Sequence, residues 1–133
     1  MISIVYGPKG SGKTKALLEK AVNAMDSAKG TLIYITNSKD HIYQIPHQIR
    51  YIMSDDYNIT DLQSFIGFIK GIIANDHDIE YIFIDGAARI SNVNIDQMQS
   101  LFDVLDKYQD INFLLTVSSD YDNLPQYIKN YVK

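Results

Sequence analysis

The stretch Gly7-Pro8-Lys9-Gly10-Ser11-Gly12-Lys13-Thr14 matches G-x-x-x-x-G-K-[ST] in full, and its surroundings decide how it is read. Residues 2–6, Ile-Ser-Ile-Val-Tyr, form a short apolar, β-branched run, the pattern of a buried strand. Residues 14–28 carry Leu17, Leu18, Ala21, Val22 and Met25 at helical spacing, with Gly30 placed to end the helix. Glycines between a strand and a helix let successive N–H groups turn inward around an anion. A helix beginning near Lys13 aims its orphan N–H groups and positive dipole end at the same point. Lys13 then supplies a point charge for the β- and γ-phosphates, and the Thr14 hydroxyl a ligand for Mg²⁺. Gly7 through Thr14, with Lys15, are the candidate nucleotide-binding residues. With glycine at about 7% of residues, a chance match in a chain this long is roughly a one-in-two-hundred event. A glycine-rich turn without a ligand is therefore the minor reading.

Outward from the loop, strands and helices alternate. Residues 31–36, 81–85 and 111–117 are apolar strand runs, and 50–53 suits a short strand inside the weakly patterned stretch 37–59. Residues 61–75 and 95–108 carry helical stripes, with Thr60 and Gln63 spaced as a capping box and Asn94 as a cap. A short helix over 125–132 closes the chain, with Pro125 in its first turn. Strands apolar on both faces, alternating with helices, predict an α/β fold: a three-layer α/β/α sandwich around a mostly parallel sheet of four or five strands. The polar exit of the strand at 111–117 suggests RecA-like placement, with that strand between the first strand and the one at 81–85. Ligands in such sheets sit at the carboxyl ends of the strands, which points to 7–14, 36–40, 85–89 and 118–122.

The 133 residues, with 46% hydrophobic and 21% charged, suit one domain over 1–133 with a real core. No cysteine is present, so disulfide scaffolds, cysteine-ligated zinc and thiol catalysis are excluded. A net charge of -4 argues against a nucleic-acid footprint, because phosphate neutralisation needs a basic surplus. No apolar run approaches the roughly 18 residues of a membrane span, and no secretory leader is visible, so a cytoplasmic location is expected.

Asp85 ends the apolar strand Tyr81-Ile82-Phe83-Ile84. A carboxylate there can hold Mg²⁺ through a bound water, across from Thr14. With both motifs in place the chain resembles P-loop NTPases: Gly7–Thr14 correspond to Walker A and Ile82–Asp85 to Walker B. It is similar to small stand-alone bacterial ATP-binding proteins that sometimes carry a twitching-motility ATPase label. The resemblance implies ATP and Mg²⁺ as cofactors, with Lys13 and Asp85 as catalytic residues and Thr14 and Asp85 at the metal. The departures matter as much. Gly86, Ala87 and Ala88 follow Asp85 where RecA-like ATPases carry a water-activating glutamate, and Glu80 lies at the wrong end of the strand. Asp85-Gly86-Ala87-Ala88 is not D-x-x-G, and Asn37-Ser38-Lys39-Asp40 is not N-K-x-D, so adenine is favoured over guanine.

Secondary candidates are Arg89 as a phosphate-reading arginine and Asp120 as a water-orienting carboxylate, each set against a plain salt bridge or turn role. Thr116, Ser118 and Ser119 lie where a γ-phosphate sensor would be, Lys9 is a further cation in the loop, and Tyr43, Tyr51 and Tyr57 are candidate stacking surfaces. His41, His47 and His77 show no metal spacing, and Gly67 and Gly71 read as a close helix-to-sheet contact. The leading expectation is Mg²⁺-dependent ATP binding with slow or partner-activated hydrolysis. The loops 37–59 and 86–94 would report the nucleotide state to a protein partner or a second copy. The alternatives are a small-molecule kinase with its acceptor near Thr36–Asp40 and Arg89, and an interaction scaffold with a vestigial loop.

Overall fold

The computed structural model describes residues 1–132. Five strands form one fully parallel sheet: β1 (Ile2–Gly7), β2 (Thr31–Thr36), β3 (Ile49–Met53), β4 (Ile79–Asp85) and β5 (Asn112–Ser118). Their order across the sheet is β1-β5-β4-β2-β3. The strand with the polar exit does separate the first strand from the one ending in Asp85. The run at 50–53 is β3, at the far edge beside β2.

Alternation along the strands builds two cores. Leu32 and Tyr34 of β2 and Phe83 of β4 face α1 (Lys13–Ala24), which buries Leu17, Leu18 and Ala21 against them. Ile33, Ile35, Ile82, Ile84, Phe113, Leu115 and Val117 face the other way. There they meet α2 (Leu62–Asn75), α3 (Ala87–Ser91), α4 (Gln99–Leu105) and α5 (Gln126–Lys129). Among the described residues, one helix on one face and four on the other give the three-layer sandwich. Because every strand runs the same way, all strand exits open on one end of the sheet, the end that carries the glycine loop.

Several local readings need correction. Helix α1 ends at Ala24, short of the residue 28 suggested by its stripe. Gly30 is not its terminator: a Cβ at that position would lie 2.1 Å from the carbonyl oxygen of Asp78, so the glycine admits a close chain approach. The capping box of α2 is built by Asp61 and Ser64, not Thr60 and Gln63. Ser64 N–H donates to Asp61 Oδ1 at 2.7 Å, which holds the Asp61 carboxyl below its ordinary value. Asn94 and Gln97 do cap the turn at 95–97, with Asn94 N–H donating to Gln97 Oε1 at 3.0 Å. The predicted helix 95–108 is split there, into a single 3-10 turn and α4. Gly67 and Gly71 face open space, with nothing within 4 Å of where a Cβ would stand, so they make no tight helix contact.

Candidate functional site: the loop, Asp85 and Arg89

The glycine loop leaves β1 at Gly7 and enters α1 through Gly12, whose φ of 89° is left-handed backbone that a side chain strongly disfavours. This turn sets the N-terminus of a twelve-residue helix at the strand exits. Lys13 Nζ folds back over the loop and donates to the Pro8 carbonyl at 3.0 Å, so the cation is held over the space the loop encloses.

Asp85 closes the other side. Thr36↔Asp85 is the last pair of the β2–β4 ladder, and Ile84↔Leu115 puts Thr116 beside the carboxylate. The Asp85 side chain is almost fully buried. The Thr14 hydroxyl donates to it, 3.0 Å from Oδ2 and 3.2 Å from Oδ1, and the Thr116 hydroxyl donates to Oδ1 at 2.8 Å. Thr116 Oγ1 in turn accepts the Gly86 N–H at 2.9 Å. Two hydroxyls and a carboxylate from α1, β5 and β4 thus form one polar network at the sheet exit. Behind it, burial first and then the Asp85 charge push the Tyr34 phenol above its ordinary 10.0, so this ring adds no charge at neutral pH.

Arg89 is the residue that tertiary structure moves into the site. Its Nε donates to Asn37 Oδ1, and its Nη2 donates to the Asp85 carbonyl at 3.3 Å and lies 4.0 Å from Asp85 Oδ2. The guanidinium rests on Gly86, where a Cβ would lie 2.5 Å from Arg89 Cζ. Gly86 also has φ of 84°, a left-handed conformation. Gly86→Ala is therefore expected to destabilise the fold by about 1–2 kcal/mol, the left-handed penalty, and to push the flexible guanidinium aside. Urea unfolding checks it; a loss within the measurement error would mean that the backbone relaxes here at no cost.

Lys9, Gly10, Lys13, Thr14, Asn37, Ser38, Asp40, Asp85, Arg89, Thr116 and Ser118 line one cavity of about 460 Å³. The structure thus brings together the loop, Asp85, Thr116, Ser118, Arg89 and Lys9. Asn37, Ser38 and Asp40 join them, from the strand exit at 36–40 that the sequence offered as an acceptor region. Asp120 stays outside this lining and caps a turn, its Oδ1 accepting the Asn123 N–H at 3.0 Å. Glu80 is structural, its Oε1 accepting the N–H groups of Lys29 and Gly30 at 2.9 and 3.0 Å. The three candidate stacking tyrosines do not converge. Tyr51 stacks on Tyr34 and donates to the Ser38 carbonyl, Tyr57 lies against Phe68, and Tyr43 is wholly exposed. An aromatic pair that the sequence did not suggest, Tyr6 and Tyr121, forms with centroids 5.9 Å apart, its Tyr6 one residue before the loop.

No protein-family model matches the chain. No curated protein matches it in sequence either. A solved structure does match the fold: the flagellar accessory protein FlaH from Methanocaldococcus jannaschii, with a TM-score of 0.58 at 15% sequence identity. The match covers 97% of this chain and 65% of FlaH, so the chain spans less than two thirds of that protein's length. Together with the strand order, this likeness shows a RecA-like α/β sandwich fold.

Proposed function

We propose that the protein binds ATP with Mg²⁺ in the cavity above the glycine loop, and that it works as a slow or partner-activated ATPase, a nucleotide switch. The observation that carries this reading is the Thr14 hydroxyl 3.0 Å from the buried Asp85 carboxylate, across the mouth of the loop. The donor set fits Mg²⁺: both atoms are hard oxygens, and two protein oxygens leave the remaining positions to phosphate and water. When bound, Mg²⁺ would neutralise charge on the β- and γ-phosphates. The chain's own residues do the rest. Gly10, Gly12 and the first turn of α1 present N–H groups to the phosphates, and Lys13 turns from the Pro8 carbonyl to an anionic oxygen. Thr116 keeps Asp85 aligned through its 2.8 Å hydrogen bond.

Slow turnover follows from what surrounds Asp85. Gly86 and the α3 residues Ala87 and Ala88 supply no carboxylate to activate water. Asp85 itself is occupied by Thr14 and Thr116. The switch reading rests on Arg89, which bonds to Asn37 and so joins the segment after β4, through α3, to the loop after β2. A γ-phosphate competing for that guanidinium would loosen the tie and free both loops to meet a protein partner or a second copy. No described helix is long and apolar enough to cross a membrane.

The test is a titration of the purified chain with ATP and GTP, each with and without Mg²⁺, followed by ADP release. The expected result is ATP binding that strengthens with Mg²⁺, and turnover below about 1 per second, the low end for enzymes. If neither nucleotide binds, the loop is left as an interaction turn or one completed only by a partner, and fast turnover without a partner would overturn the switch.

A further inference from the structure

A second cavity, of about 520 Å³, adjoins the phosphate cavity at Arg89. It shares Lys9, Arg89, Thr116 and Ser118 with the phosphate cavity, so these four residues are the boundary between the two. Its floor is apolar: Val93, Ile95, Met98 and Val117, with Met98 and Val117 buried. Asn94 and Asp96 stand at its rim, the latter exposed. Its volume is in the range of small-molecule sites and exceeds that of the phosphate cavity itself.

The placement has a chemical meaning. Lys13, Thr14 and Asp85 line only the loop side, so the terminal phosphate of a nucleotide held there would face the boundary. Two cations, Lys9 and Arg89, stand between that phosphate and whatever fills the second cavity. Two anions brought close repel each other, and cations shared between them offset that repulsion. Among the described residues, the only carboxylate in the second lining, Asp96, sits at the solvent side. No buried carboxylate of that lining is free to deprotonate an alcohol, and the nearby Asp85 is engaged by Thr14 and Thr116.

We propose that this cavity holds a phosphoryl acceptor, a phosphomonoester whose apolar body rests on Val93, Ile95 and Met98 and whose phosphate lies against Lys9 and Arg89. The proposal rests on the reading of the loop as an ATP site and gives that site a second substrate. Such an acceptor has an attacking oxygen that is already ionised. That oxygen forms a bond to the γ-phosphorus of ATP as the bond from the γ-phosphorus to the β,γ-bridging oxygen breaks. The electron pair leaves with ADP, and no proton has to be removed. Transfer to such an acceptor then needs neither of the exposed carboxylates of the two linings, Asp40 and Asp96, as a base. Arg89 has the reach and the planar fork to contact both phosphates during the transfer.

The experiment uses the full chain with γ-labelled Mg-ATP and four separate additions: AMP, phenyl phosphate, acetate and glycerol. ATP binding is measured in parallel. Label is expected to move to AMP or phenyl phosphate, with ADP formation raised about tenfold or more over the chain alone, because a positioned nucleophile replaces a poorly activated water. Val93→Trp, at a residue that lines the second cavity and not the phosphate cavity, should lose this stimulation with ATP affinity unchanged. Asp96→Asn should keep it. ATP binding with no stimulation by either phosphomonoester overturns the acceptor proposal and leaves the nucleotide reading standing. Transfer to glycerol overturns it in favour of an alcohol acceptor with a carboxylate base, Asp96 where Asp96→Asn abolishes the transfer and Asp40 where it does not, and transfer to acetate alone overturns it in favour of a carboxylate. Absence of ATP binding overturns both readings together.

Discussion

Lys13→Ala is expected to weaken Mg²⁺-dependent ATP binding by roughly 10- to 100-fold, the equivalent of one or two charge-assisted hydrogen bonds. In the free protein the ammonium donates a hydrogen bond of 3.0 Å to the Pro8 carbonyl, at an exposed position. Removing it there leaves no buried group without a partner, so the fold loses little. With a triphosphate in the loop the same ammonium faces several anionic oxygens beside the N-terminus of α1, where the backbone N–H groups already favour negative charge. The change is thus asymmetric: large in the bound state, small in the free state. Calorimetric titration measures the first and thermal unfolding the second. An unfolding midpoint near wild type with a ten-fold or greater loss of affinity supports the site. Equal ATP affinity in the two proteins would mean that nucleotide, if it binds, binds elsewhere.

Phe113→Ala should cost about 3–5 kcal/mol of stability, from lost burial and from the cavity left behind. Phe113 is fully buried. It stands in β5 opposite Ile2 of β1 and Ile82 of β4, at the meeting of three strands, and points into the core covered by four helices. Domains of this kind are stable by about 5–15 kcal/mol, so the variant gives up a large share of that. Tyr43→Ala is the control, because that ring is 99% exposed and its loss should stay within about 0.5 kcal/mol. Urea unfolding of the two variants beside wild type measures both. A Phe113→Ala loss below about 1 kcal/mol would mean that the strand order or the inward face of β5 is wrong.

The second variant also bears on how the site holds together. Phe113 lies on the strand that carries Thr116 and Ser118 to the cavity. The chemistry at one end of β5 rests on apolar packing toward the other. The same dependence explains what could be read along the chain and what could not. The loop at 7–14 is legible because its chemistry is local: the glycine conformations, the helix N-terminus and the lysine all fall within eight residues. The strands are legible because burial on both faces demands continuous apolar runs. The order of strands was reachable because polar Thr116 and Ser118 end an apolar run, and a polar exit belongs beside a polar site.

Local patterns misled where a distant contact overrode them. Gly30 has the place of a helix terminator, yet it is required by the Asp78 carbonyl, nearly fifty residues away, as β2 and β4 converge. Thr60 and Asp61 are both good caps, and the chain entry into α2 selected Asp61. Gly67 and Gly71 suggest a tight interface only if their face meets a neighbour, and it points to open space. For Arg89 the sequence left a phosphate-reading role and a plain salt bridge both open, because its partner Asn37 is fifty-two positions earlier.

The sequence alone determined the parallel α/β sandwich, the loop with Lys13 and Thr14, and Asp85 as the acid at a strand exit. Each depends on periodicity or spacing within one element, and backbone sterics and solvent exclusion act at that range. Only the tertiary structure decided that Thr14, Thr116 and Asp85 share one network, that Arg89 closes it from α3, and that a second cavity opens beyond. Those facts depend on strand exits far apart in the chain meeting at one end of the sheet, and it is the packing of the two cores that brings them there.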